Sequence, residues 1–141
     1  MAVCANRGKT TEKKVESALK IFNNMGSMSY LRFPDSRSAR NFLAAQPSDF
    51  LVVSKGVPIF LEVKHLENPK RLPKGNLPQH ATLNKFGHAG AQAILLVEHE
   101  GLGWRVVNVP DLATDVPSWD LSEVPLFDSA EAALKSTGLF A

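Results

Sequence analysis

Between positions 47 and 64 the chain reads PSDFLVVSKGVPIFLEVK, two short apolar runs on either side of a Lys-Gly pair. That pattern predicts a β-hairpin, with DFLVVS and VPIFLEVK as its strands. Upstream, TTEKKVESALKIFNNMG places Val15, Leu19 and Phe22 at helical spacing. It predicts a helix capped by a Thr and ended at Gly26. MSYLRF follows as a strand, and PDSRSARNFLAAQP as a polar insert with room for a short helix, closed by Pro47. Beyond the hairpin, HLENPKRLPKGNLP reads as a proline-rich basic loop. PQHATLNKFGHAG reads as a second helix, with Asn76 near its start and Pro78 in its first turn. AQAILLVEH is a continuous apolar run and so a buried strand. WRVVNV is a further strand, and DSAEAALKS a last short helix capped by Asp128 or Ser129. The order helix, three strands, helix, strand, then appended elements, is that of an α/β protein with one mixed sheet and helices packed on it.

Composition narrows this only a little. A chain of 141 residues with 44% hydrophobic content fits a single domain over 1–141 with a proper core. No apolar run approaches the roughly 20 residues of a membrane span, so no membrane partner is expected. The start, MAVCANRGKTTEKK, has no apolar signal core, and Cys4 is the only cysteine. An internal disulfide and a thiolate zinc site are therefore excluded, and a reducing cytoplasm is the expected compartment. The net charge is +2. The cations gather as Arg7, Lys9, Lys13 and Lys14; as Arg32, Arg37 and Arg40; and as Lys70, Arg71 and Lys74. Any one such group is an ordinary solvated surface. Three groups around one acidic site favour a surface for phosphates.

The acidic site comes from the hairpin register. A two-residue loop at Lys55-Gly56 pairs Ser54 with Val57, and every further pair keeps the same sum. Asp49 then falls opposite Glu62, in a pair of the closer, non-hydrogen-bonded kind. Two like charges directly opposite destabilise a hairpin, and a divalent cation bridging them removes the penalty. Glu62 and Lys64, two apart on one strand, share a face. Two carboxylates and an ammonium on a rigid sheet suit phosphodiester hydrolysis. Asp49 and Glu62 would hold Mg²⁺, with Mn²⁺ as a possible substitute and the Val63 carbonyl as a further ligand. Such a cation polarises a phosphoryl oxygen and lowers the pKa of a bound water. Lys64 would orient that water or offset charge in the transition state. Glu-x-Lys alone is a weak motif, equally at home at a half-exposed strand end.

Two further residues fit. Glu12 lies on the packing stripe of the first helix, where an unpaired carboxylate needs a reason, although it also suits a first helical turn as an acid. Gln79, in the first turn of the next helix, would contact a water or phosphate near the metal, or be a plain surface amide. The four histidines have no compact metal-ligand spacing, and FGHAGAQ is no phosphate loop. Trp104 reads as sheet packing, and Trp119 as the cover of a loop or a subunit contact.

A helix acid, then Asp49, then Glu62-Val63-Lys64, then a Gln on the next helix resembles the PD-(D/E)XK nuclease superfamily, and within it the RecU-type Holliday junction resolvases. NRGKTTE resembles that group's N-terminal signature and places its acid at Glu12. SDFLVVSKGVPIFLEVK resembles its central hairpin. RLPKGNLPQH with the following helix and AQAILLV resembles its next segment and places its Gln at Gln79. The resemblance implies a restriction-endonuclease-like fold and a homodimeric, metal-dependent endonuclease acting on branched DNA in a bacterial or phage-infected cytoplasm. Its catalytic residues would be Asp49, Glu62, Lys64, Glu12 and Gln79. Arg7, Lys9, Lys13, Lys70, Arg71 and Lys74 would contact the DNA. The chain departs from the group in its short insert at 34–47, where the group carries a long stalk. A restriction- or repair-type nuclease, a non-catalytic DNA-binding module and a protein-interaction domain are the competing readings.

Overall fold

Two parallel strands at the centre of a five-stranded sheet organise the chain. In the computed structural model, which describes residues 3–26, 28–34, 46–67 and 70–140 and side chains from residue 8 onward, the sheet order is β1-β2-β3-β5-β6. Its strands are β1 (Met28–Arg32), β2 (Phe50–Ser54), β3 (Val57–Leu66), β5 (Gln92–His99) and β6 (Gly103–Asn108). Within this sheet only the pair β3 and β5 is parallel. A parallel pair needs a crossover, and α2 (His80–His88) supplies it. Helix α1 (Val3–Asn24) precedes the sheet and α3 (Ala130–Ser136) follows it. The expected helix, three strands, helix, strand order and the mixed sheet are both present. Most of the insert, including Arg37 and Arg40, and the Arg7 side chain lie outside the described residues.

The sheet separates two apolar clusters. On one face Val15, Leu19 and Phe22 of α1, the predicted stripe, are fully buried with Leu61, Val63, Ile94, Leu96 and Leu134 of α3. On the other, Leu83 of α2 packs with Leu66, Leu95, Val97, Leu72 and Trp119. Alternation along β3 sends Leu61 and Val63 to the first face and leaves Glu62 and Lys64 on the second. The hairpin turn is the predicted Lys55-Gly56, both at positive φ (51° and 80°), as a two-residue turn of this hand requires.

Several expectations are corrected. Helix α1 begins at Val3, so Thr10 and Thr11 lie in its interior and neither caps it. No residue in ANRGK breaks a helix strongly; Gly8 costs only about 1 kcal/mol there. The basic loop contains β4 (Arg71–Pro73), followed by a 3-10 turn at Lys74–Asn76. β4 pairs with β7 (Ser118–Asp120) in a second, two-stranded sheet. Trp119 is therefore a strand residue. Its ring is buried and its Nε1 donates to the Ala113 carbonyl at 2.8 Å. Helix α2 begins at His80, which puts Asn76 and Pro78 before the helix and Gln79 at its N-cap. Of the two candidate caps of α3, Ser129 is the one used, its Oγ accepting from Ala132 N at 3.1 Å.

Candidate active site

The hairpin ladder ends at Phe50–Leu61, one step short of Asp49 and Glu62. Asp49 is fixed from both sides all the same. Its carbonyl accepts from Phe33 N at 2.9 Å, continuing the line of β1, and its Oδ2 accepts from Val63 N at 2.8 Å. Next to it, Ser48 is buried and donates to the Phe50 carbonyl at 2.9 Å. The Asp49 side chain thus replaces the next rung of the ladder. In a strand the N–H and C=O of one residue face the same edge, so the Val63 carbonyl is turned toward Asp49 as well.

Glu62 is 1% exposed. Lys64 Nζ lies 3.2 Å from its Oε2, while its Oε1 is buried with no hydrogen-bond partner. Burial, and then the adjacent Asp49 carboxylate, push its pKa up to about 8 against the opposing pull of Lys64. A buried carboxylate oxygen without a donor is costly, and a hard cation between Asp49 and Glu62 is the ligand this donor set fits. Among the described residues no group of three or more His, Cys, Asp or Glu side chains could hold a metal. The two acids would have to be completed by the Val63 carbonyl and by water, as Mg²⁺ allows.

These residues form the floor of a cavity of about 1160 Å³. Gly8 and Glu12 of α1 stand on one side of it. Glu12 is no lone carboxylate: Arg32 Nη2 lies 3.3 Å from its Oε1, and Arg32 Nη1 lies 3.4 Å from Glu16. Gln79 also lines the cavity, with Oε1 buried and unpartnered. Arg71, Pro73, Asn76 and Ser118 line it as well.

Of the described basic residues proposed for DNA, Arg71 alone lines this cavity. Lys9, Lys13 and Lys70 are exposed outside it. Lys74 Nζ donates to the Thr114 carbonyl. Arg32 and Lys14 are engaged within the fold, Lys14 with Glu98 at 2.6 Å.

One polar cluster has no signature in the local sequence. Glu98 on β5 accepts from Thr11 Oγ1 at 2.7 Å on Oε1, where His65 Nδ1 also approaches to 3.2 Å. Lys14 sits on Oε2. Burial alone would raise the Glu98 pKa, but its partners hold it below the usual value. His65 pairs with Glu98 in the parallel register, a relation invisible until β3 and β5 are known to be neighbours.

No family model and no curated protein matches the chain. Among solved structures the fold is similar to that of Archaeoglobus fulgidus Hjc, described as a Holliday junction resolvase from an archaeal hyperthermophile. The TM-score is 0.56 at 18% identity, over 90% of this chain and 95% of that one. The fold is restriction-endonuclease-like. The structural similarity is to an archaeal Hjc, and the RecU-type resemblance is one of sequence motifs.

Proposed function

We propose that the protein is a divalent-metal-dependent DNA endonuclease that resolves four-way junctions. The observation that carries this reading is the Asp49–Glu62–Lys64 floor, with the buried Glu62 Oε1 left without a donor. Asp49 and Glu62 would hold Mg²⁺ or Mn²⁺, with the Val63 carbonyl beside them. When bound, the cation supplies Lewis-acid polarisation of the phosphodiester and a water acidic enough to attack it. Lys64, 24% exposed and tied to Glu62, would orient the attacking water and offset charge as the phosphorus becomes five-coordinate. Glu12 and Gln79 line the same cavity and would contact the water shell or the scissile phosphate.

Resolving a junction takes two cuts, and the described residues of one chain form one such floor, so a second copy is part of the proposal. The surface for it is the open face of β1 and β2. Leu31 and Val53 are 58% and 46% exposed there, and Phe60 beside them stacks on the exposed Phe86 at 4.3 Å. Exposed apolar side chains on one face of a sheet support an interaction site there. Leu31→Glu should shift the protein from dimer to monomer in sedimentation velocity. An unchanged sedimentation coefficient removes this face from consideration.

The deciding experiment sets purified protein on a labelled four-way junction and on its linear arms, with Mg²⁺ and with chelator. Paired nicks near the branch point that need the metal support the resolvase reading. Equal cutting of both substrates keeps the chemistry and favours a restriction- or repair-type nuclease. Tight binding without cutting in Mg²⁺ or Mn²⁺ leaves a DNA-binding module.

A further inference from the structure

Toward its N-terminus the packing face of α1 changes character. Gly8, Val15 and Leu19 share one face of the helix, separated by about two turns and then one. Val15 and Leu19 are fully buried in the core. One turn before Val15 stand Thr11, buried and bonded to Glu98, and Glu12, which pairs with Arg32. One turn earlier still, at Gly8, the face borders the cavity and carries no side chain. Glycine in a helix interior is less stable than alanine, so its presence there needs a cause. A positive φ is one, as at Gly56 (80°). Close packing is another, as at Gly87 in α2, where a Cβ would come within 2.6 Å of Pro110 Cγ. Neither holds at Gly8. Its backbone is helical, and among the described residues no atom lies within 4 Å of where its Cβ would be. A side chain at this position would project into the open cavity.

Glu62 on the cavity floor is 1% exposed. A phosphodiester reaches a cation held there only if its sugar–phosphate chain sinks between the walls. The width left by α1 therefore sets how deep a strand can lie. We propose that Gly8 is a substrate-contact position, where the sugar–phosphate backbone of the scissile strand packs directly on the bare helix and so brings its phosphate down to the Asp49–Glu62 floor. Gly8 lies beyond the first four residues of α1, so its N–H is already bonded within the helix. The contact is one of shape, with no hydrogen bond donated to the strand. The proposal rests on the endonuclease reading. It assigns part of substrate alignment to the absence of a side chain.

The test compares wild type with Gly8→Ala, Gly8→Leu and Ser17→Ala. Ser17 is exposed on another face of α1, so its variant changes helix propensity away from the cavity. Melting temperature is read with and without Mg²⁺, and KM and kcat on the four-way junction and its duplex arms. Alanine and leucine are better helix formers than glycine, so both Gly8 variants should melt higher, by roughly 2–4 °C. Mg²⁺ should raise the melting temperature of each as it does for wild type, because the floor is untouched. On the junction kcat should fall about 10-fold in Gly8→Ala and about 100-fold in Gly8→Leu, in order of side-chain size. KM should change little, because the strand still binds but stops short of the floor. Ser17→Ala should keep the wild-type kcat. A wild-type kcat in Gly8→Leu overturns the assignment. So does a loss of kcat that comes with a lower melting temperature and no response to Mg²⁺, since the glycine then serves the fold. An equal loss in Ser17→Ala also overturns it, since helix stiffness and not contact is then the cause. All three leave the nuclease reading intact. Wild-type protein that neither binds nor cuts any of these DNAs overturns both.

Discussion

Glu62 and Glu98 sit on neighbouring parallel strands, on opposite faces of one sheet, and both are largely out of solvent, with side chains 2% and 13% exposed. The fold treats them in opposite ways. Glu98 is complete: a hydroxyl, an imidazole and an ammonium surround it, and its pKa is held below the ordinary value. Glu62 has an ammonium on one oxygen, nothing on the other and a second carboxylate beside it, and its pKa is raised. Burial acts on both in the same direction. Partners reverse it at Glu98 and a like charge reinforces it at Glu62. A finished carboxylate is a structural clamp, here fastening α1 to β5. An unfinished one on a cavity floor is a place where the fold leaves room for a ligand.

Breaking the unfinished side should have the largest effect. Asp49→Ala removes one of the two acids and the carboxylate that holds Val63 N. Cleavage of the junction in Mg²⁺ is expected to fall by about 10³-fold or more. Asp49→Ala protein that cuts at close to the wild-type rate would remove Asp49 from the chemistry.

Titration without metal sharpens the contrast next. The folded pKa of Glu62 is raised from 4.5 to about 8. The folded state therefore holds this proton more tightly than the unfolded chain does. The stability from the protonated form is fully present below pH 4.5 and is lost as pH rises to about 8. A tenfold change in proton affinity is worth about 1.4 kcal/mol, so the total is at most a few kcal/mol. In chelator, Glu62→Gln should gain melting temperature over wild type as pH rises from about 5.5 to 8.5, and Mg²⁺ should stabilise wild type alone. A difference that stays flat with pH contradicts the raised pKa.

Glu98 should show the opposite slope. Its folded pKa is lowered, so its contribution is present above the unfolded value and lost as pH falls through the folded one. Glu98→Gln is expected to cost about 1–3 kcal/mol near neutral pH, the range for hydrogen bonds to a charged group. The loss should shrink toward pH 4. Urea unfolding of both proteins at several pH values measures it, and a loss independent of pH would mean the charge of Glu98 is not what the clamp uses.

The two acids are not equally legible in the sequence, for a physical reason. Antiparallel strands joined by a two-residue turn have a fixed register, so the meeting of Asp49 and Glu62 follows from Lys55-Gly56 and a count. Val15, Leu19 and Phe22 announce a packed helix face through their spacing alone. Thr11 and Glu98 are 87 positions apart, and Arg71 and Ser118 are 47 apart. Each contact depends on a strand neighbour that no local pattern specifies. Thr11 reads as a helix cap because Thr favours that position. Its hydroxyl instead goes to a tertiary acceptor, Glu98, inside a helix that begins at Val3. The basic loop hides β4 because three residues with a proline carry no alternation to detect, and only pairing with β7, distant in sequence, makes them a strand.

Lys14 marks the smallest effect and the finest division of the finished site. Its Nζ lies 2.6 Å from Glu98 Oε2, yet its side chain is 53% exposed. An ion pair with one partner in solvent is worth about 0.2–1 kcal/mol and weakens with salt. Thr11 is 1% exposed and supplies the bond that solvent cannot replace. Lys14→Ala should therefore cost under about 1 kcal/mol in dilute buffer and close to nothing in roughly 0.5 M NaCl. Thr11→Val should cost more, about 1–3 kcal/mol at either salt, because it leaves a buried carboxylate oxygen short of a donor. If Lys14→Ala proves the costlier of the two, the clamp is electrostatic and belongs to the surface. The interior hydroxyl would then not be what separates Glu98 from Glu62.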